Sequence, residues 1–72
     1  MTTVDSFGHE KDPRIGCTVR DIASRRKGEL TAIVQEKVRD KSGHERYVRV
    51  AYIKAASGIE WSTAADNLSV TP

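Results

Sequence analysis

The side chains whose types and spacing point most clearly to chemistry are cations. Ten of the twelve Lys and Arg residues lie between positions 17 and 54, against five acidic residues, so this stretch has a net charge of +5. The flanks are acidic, with −1 for residues 1–16 and −2 for residues 55–72. The whole-chain charge of +2 therefore conceals a basic middle. Clustered cations release counterions from a phosphate backbone, which gives an affinity for nucleic acid that falls with salt.

Aromatic residues accompany these cations and supply a second kind of contact. Tyr47 and Tyr52, close to the basic residues, are suited to stacking on single-stranded bases. Tyr47 or Tyr52 together with Trp61 could instead form a shallow groove for an extended peptide. The predicted binding residues are Arg20, Arg25, Arg26, Lys27, Arg46, Arg49, Tyr47, Tyr52 and Trp61. We expect the cations to lie on two adjacent hairpins, with nucleic acid or an acidic protein surface as the partner.

Ordinary structural roles explain the same residues equally simply. Charges on exposed strand faces provide solvation and protect edges from aggregation. Trp61 is the largest apolar side chain, and packing against Ile59, Leu68 and Val50 would make it part of the core. Its indole N–H then needs a partner, which Glu60 and Ser62 cannot supply from the opposite face of a strand.

Catalytic and metal-binding patterns are missing from the sequence. His9, Cys17 and His44 match no zinc spacing, and Cys17 reads as a small buried hydrophobic residue. Nothing in the sequence places Glu60 and Asp66 near a titratable partner, and Asp66-Asn67 is typical of a turn before the last strand. Since there is no phosphate loop or nucleophile–base set, we expect no enzyme activity, no cofactor, no metal and no small-molecule substrate.

Length and composition predict a single small domain. With 72 residues and 38% hydrophobic residues, the core must be thin. No apolar run reaches the roughly 20 residues of a membrane span, and no apolar segment follows Met1 as in a signal peptide. The single Cys cannot form an internal disulfide. We therefore expect a cytoplasmic protein without a membrane partner; its oligomeric state stays open.

Alternation of apolar and polar residues predicts five short strands after a disordered tail. The tail is assigned to residues 1–15 and the folded domain to residues 16–72, because no period holds before Gly16. Strands are predicted at residues 18–21, 29–35, 46–54, 59–62 and 68–71, separated by turn signals that contain Gly or Asn. Short strands with turns at close intervals are typical of a small barrel or sandwich.

A helical alternative covers part of the same stretch. Residues 18–39 also fit a helix–turn–helix broken near Gly28, in which Thr18 and Asp21 form a capping box and the later hairpin forms a wing. The protein would then be a winged helix–turn–helix DNA-binding regulator. Strands are favoured, because Leu30, Ala32 and Val34 alternate without exception and no capping residue follows Gly28.

The order of these elements resembles that of SH3-like barrels. The hairpin from Val19 through Gly28 to Val34 looks like the KOW variant, in which a Gly enters a strand and allows sharp coiling. The segment Gly58-Ile59-Glu60-Trp61, followed by Ala65-Asp66-Asn67-Leu68, also resembles short actinobacterial proteins of unassigned function. The resemblance covers about residues 16–70 and implies an all-β, five-stranded SH3-like (KOW/Tudor-like) barrel with a single-turn helix before the last strand. Such barrels host nucleic-acid binders and peptide binders alike, so the resemblance implies a non-catalytic binding module without choosing its partner.

Overall fold

Five antiparallel strands form one sheet in the computed structural model, which describes residues 8–70. The strands are β1 (Thr18–Asp21), β2 (Lys27–Arg39), β3 (Glu45–Lys54), β4 (Glu60–Ala64) and β5 (Leu68–Val70). Their order in the sheet is β4-β3-β2-β1-β5, and a 3₁₀ helix, Ala65–Asn67, precedes β5. The all-β prediction is confirmed. The helical alternative is wrong, because β1 and β2 occupy the segment that it assigned to two helices.

The hairpin of β2 and β3 is the longest element, and its tip is a tight loop. The Asp40 carboxylate accepts hydrogen bonds from the backbone N–H groups of Ser42 and His44, both at 2.9 Å. Gly43 follows with a φ of 83°, a left-handed conformation that glycine adopts without strain. The predicted turn between residues 40 and 43 is therefore formed, and its Asp and Gly both have structural roles.

A β-bulge at Thr31 changes which face of β2 points inward. Leu30 pairs with Ile53, and the next paired residue is Ala32 with Tyr52, so Thr31 is the extra residue. Leu30 and Ile33 are both fully buried, whereas Ala32 and Val34 are half-buried on the other face. The prediction that Leu30, Ala32 and Val34 share one face of a regular strand is therefore wrong, because the bulge shifts the register by one residue.

The core lies inside the curved sheet. It consists of Val19, Leu30, Ile33, Ala51, Ile53 and Ala65, with Trp61 and Leu68 packed against it. Close packing also requires Gly28 within β2, since a Cβ there would lie 2.6 Å from the Lys54 carbonyl oxygen and 2.7 Å from Ile53 Cγ2. Expected contacts of Trp61 with Ile59 and Val50 need correction: Ile59 is exposed, and Val50 lies on the outer face of β3.

Residues 8–15 are part of this fold, which corrects the predicted boundary of the tail at residue 15. His9 forms a bridge with Val34, and the Glu10 N–H donates to the Ile33 carbonyl at 2.8 Å. The Glu10 side chain is 1% exposed and forms an ion pair with Arg49. The sequence offers no periodicity here because a buried ion pair, not an apolar face, holds the segment. The predicted disorder of residues 1–7 lies outside the described residues.

Cys17 is exposed, which corrects its prediction as a buried hydrophobic residue. It precedes β1, and its thiol lies 3.8 Å from the Pro13 carbonyl oxygen. Within residues 8–70, no helix combines the length and the apolar character needed to cross a membrane.

Candidate functional site

The turn between β1 and β2 carries three consecutive cations, Arg25, Arg26 and Lys27. Two backbone hydrogen bonds close it: Asp21 N–H donates to the Arg26 carbonyl at 2.8 Å, and Arg25 N–H donates to the Asp21 carbonyl at 2.7 Å. Arg25 has a φ of 64°, the left-handed region that costs an L-residue about 1–2 kcal/mol. A non-glycine residue therefore occupies a position where glycine would relieve backbone strain.

A buried carboxylate anchors this basic turn. Asp21 is 2% exposed and accepts four hydrogen bonds. The donors are the Ala23 N–H (3.0 Å), the Ser24 hydroxyl (2.7 Å), the Trp61 indole N–H (3.0 Å) and the Thr63 hydroxyl (3.0 Å). Burial acts to raise the pKa of Asp21, but the four donors together outweigh it and the pKa is lowered. The carboxylate is thus held ionised and ties the turn to β4.

Trp61 lies beneath one of the three cations. The Arg26 guanidinium carbon is 5.1 Å from the centroid of the indole ring, a cation–π contact. Trp61 is half-buried and packs against the core, while Arg26 is exposed. The ring therefore positions Arg26, and Arg26 lies over one of its faces.

One further cation, Arg20, extends the basic turn onto the outer face of the sheet. Arg20 and Lys27 are directly paired across β1 and β2, and both are exposed. Like charges directly opposite each other on neighbouring strands are destabilising. Among residues 8–70, no carboxylate forms an ion pair with Arg20, Arg25 or Lys27. We call Arg20, Arg25, Arg26 and Lys27 the basic turn cluster.

An open cleft of about 480 Å³ adjoins the basic turn cluster. It is lined by Thr18, Lys27, Gly28, Glu29, Lys54, Ala55 and Ala56. Lys54 pairs with Glu29 across the sheet and with Glu60 on the other side, so acidic residues flank it. The cleft widens the surface next to Lys27 but is mixed in charge.

Arg46 and Tyr47 lie at the opposite end of the molecule. Arg46 pairs with Val38, eleven residues from Lys27 along β2, a separation of up to about 36 Å. Near this tip Glu45 accepts from Lys37 at 2.6 Å and from Arg39 at 2.7 Å. The structure therefore divides the predicted basic surface between two ends of the sheet, and at the tip two of the cations, Lys37 and Arg39, are paired with Glu45.

Arg49 has a structural role among the predicted binding residues. Its guanidinium donates to both Glu10 carboxylate oxygens at 2.8–3.1 Å, and a longer contact of 3.5 Å reaches Asp66. Hydrogen bonding to Glu10 raises the pKa of Arg49 and, together with the Gln35 amide, lowers that of Glu10. The Arg49 guanidinium therefore neutralises the buried Glu10 carboxylate and holds residue 10 against the sheet.

The three aromatic residues do not form a common groove. Trp61 pairs with Ile53 on the inner face, whereas Tyr52 pairs with Ser62 on the outer face, and its hydroxyl donates to Glu36 at 3.1 Å. Tyr47 is six residues from Ile53 along β3, about 20 Å away. Tyr52 and Trp61 do border a shallow hollow of about 300 Å³ together with Glu60 and Ser62. Burial raises the pKa of Tyr52, and Glu36 adds to this effect.

Sequence reasoning missed Asp21 as the partner of the indole N–H. A signal was present, because Asp21 alternates with Val19 and so shares the inward face of β1. An acidic residue on an inward face needs several donors. Hydroxyl and indole donors on β4 supply them here.

Within the described part of the chain, no group of three or more His, Cys, Asp or Glu residues is placed to hold a metal ion.

No family model, no curated protein and no solved structure matches this chain.

Proposed function

We propose that this chain is a non-catalytic binding module whose basic turn cluster contacts the phosphate backbone of nucleic acid. The observation that carries the proposal is the directly opposed pair Arg20 and Lys27, with Arg25 beside it and no ion pair to a described carboxylate. An unneutralised cluster costs folding free energy, and a polyanion would recover it. The strained φ of Arg25 supports the same conclusion, since backbone strain concentrates at binding sites.

A phosphate contact is favoured over base reading by the surroundings of the cluster. One face of Trp61 is covered by Arg26, and Tyr47 lies near the other end of the sheet. Cations without a groove or an aromatic platform contact phosphates and carry no direct sequence information. We therefore expect binding that is weak, independent of sequence and strongly dependent on salt.

The test is fluorescence anisotropy of a labelled DNA duplex of about 20 base pairs titrated with the protein, because a duplex offers phosphates without unpaired bases. For about three phosphate contacts, affinity should fall about 40-fold between 50 mM and 200 mM salt. The double variant Arg20→Ala/Lys27→Ala should weaken binding and reduce the salt slope by about 1.8. The control Lys41→Ala/Arg46→Ala removes the same charge at the hairpin tip and should bind like the parent protein. Equal losses in both variants would show that net charge, not the basic turn cluster, drives binding.

We further infer that the sheet is a small barrel of the SH3-like type, and we place the module in the cytoplasm. Supporting the first inference are the long β2 with Gly28 inside it and the 3₁₀ turn before β5. An exposed, unpaired Cys17 thiol is compatible with a reducing compartment. Contacts measured by NMR between Trp61 on β4 and Asp21 on β1, two strands that are not neighbours in the sheet, would test the barrel, and their absence would contradict it.

A further inference from the structure

Arg26 is held from two sides, which makes it different from its neighbours. Its backbone carbonyl accepts from Asp21 N–H at 2.8 Å, and its guanidinium lies over the Trp61 ring at 5.1 Å. The ring itself is oriented by the hydrogen bond from its N–H to Asp21 Oδ2 at 3.0 Å. One buried residue, Asp21, therefore positions both groups: its backbone N–H holds the main chain at Arg26, and its carboxylate orients the aromatic ring.

A guanidinium is planar and has two flat faces. Arg26 is exposed, so the side of its guanidinium group away from Trp61 is accessible from solvent. Guanidinium planes stack on unpaired bases as aromatic rings do, whereas a lysine ammonium provides charge without a plane. Stacking on Arg26 needs no displacement of Arg26 from Trp61.

We propose that the Trp61-supported guanidinium of Arg26 is a stacking platform for an unpaired base, which makes the basic turn cluster selective for single-stranded nucleic acid. This inference rests on the proposed function, since Arg25 and Lys27, on either side of Arg26 in the chain, supply the phosphate contacts. In a duplex the bases already stack on one another, so only the phosphate contacts remain. A single strand gains both kinds of contact.

The experiment compares three labelled probes at 50 mM salt: a ten-residue oligothymidylate, the same backbone with abasic residues, and a ten-base-pair duplex. Loss of one stacked base corresponds to a decrease in affinity of about tenfold. Arg26→Lys, which keeps the charge, should weaken oligothymidylate binding by about that factor. It should leave binding of the abasic strand and the duplex within twofold. The matched control Arg25→Lys should leave all three unchanged.

The outcomes separate this proposal from the one on which it rests. If oligothymidylate and the abasic strand bind equally well, or if Arg26→Lys has no effect on oligothymidylate, the stacking platform is overturned while phosphate binding stands. If none of the three probes binds, both proposals are overturned. Labelled polyglutamate serves as a fourth probe; if it binds more tightly than the three nucleic-acid probes, both proposals are overturned and an acidic protein partner is indicated. Circular dichroism and thermal melting of each variant verify that the fold is retained.

Discussion

Asp21 shows how one residue can serve both the core and the surface. Its carboxylate accepts hydrogen bonds from donors in the turn and on β4. A buried anion therefore holds the turn that carries the exposed cations. Its position on an inward face was readable from the alternation in β1, but its partners were not. Those partners, Trp61 and Thr63, are forty or more residues away and become neighbours only through the order of the strands.

Replacing Asp21 by Asn should reduce the free energy of unfolding by about 2 kcal/mol, because an amide NH₂ would face donors that then lose their acceptor. Urea denaturation followed by the fluorescence of the single Trp measures the change. Asp66→Asn is the control: the Asp66 side chain is 92% exposed, and its replacement should alter stability by less than about 0.5 kcal/mol. Equal effects of the two variants would contradict the role assigned to Asp21.

Among the elements, the strands were predictable and the segment before them was not. β1 occupies the predicted residues, and β3 begins one residue earlier than predicted, because β-branched and aromatic residues dominate both regions. β2 is longer than expected on both sides: Lys27 and Gly28 pair with β1, and at the other end pairing with β3 continues as far as Arg39 through polar residues that show little apolar alternation. Residues 8–10 gave no pattern at all, since the contact that orders them joins Glu10 to a distant Arg49.

Acid should loosen this segment. Hydrogen bonding from Arg49 lowers the pKa of Glu10 below its ordinary value of 4.5 in the folded protein. A lowered pKa stabilises the fold above the unfolded-state pKa, and this stabilisation is lost as pH falls through the lower folded-state value. Asp12 and Asp21, whose pKa values are also lowered, act in the same direction.

Glu10→Gln should therefore flatten the decline in stability below pH 4.5 and cost about 1–3 kcal/mol at pH 7. Denaturation midpoints measured at half-unit steps from pH 3 to pH 7 give both quantities. Glu60→Gln, at an exposed carboxylate that forms no ion pair within residues 8–70, is the matched control and should retain the parent profile. An unchanged slope in Glu10→Gln would assign the acid sensitivity to other carboxylates.

At the scale of the whole molecule, cations lie at the two ends of β2. The molecule measures 39 × 25 × 20 Å, and β2 joins the basic turn cluster at one end to the hairpin tip at the other. Sequence reasoning found the basic middle of the chain but merged two hairpins into one surface. It could not foresee the division, because the length of β2 and the pairing of Glu45 with Lys37 and Arg39 decide it.

Titration of ¹⁵N-labelled protein with oligothymidylate at 50 mM salt should therefore perturb amide signals at one end only. We expect shifts for residues 20–27, including Arg20 and Lys27, and none for residues 39–47 at the tip. Two-dimensional NMR spectra provide this map residue by residue. Shifts of equal size at both ends would indicate diffuse attraction to the whole basic middle.

The bulge at Thr31 has a consequence for how this chain should be aligned with any relative. On the N-terminal side of Thr31 the even-numbered residues of β2 point inward, as Leu30 does. On the C-terminal side the odd-numbered residues point inward, as Ile33 does. A homologue without the extra residue would keep the same inward and outward residues in both halves of the strand, provided that a one-residue gap is placed at Thr31; an ungapped alignment would exchange inward and outward positions throughout the far half. A one-residue gap at this point is therefore a change of phase, and the residues on its two sides should be compared as two separate blocks.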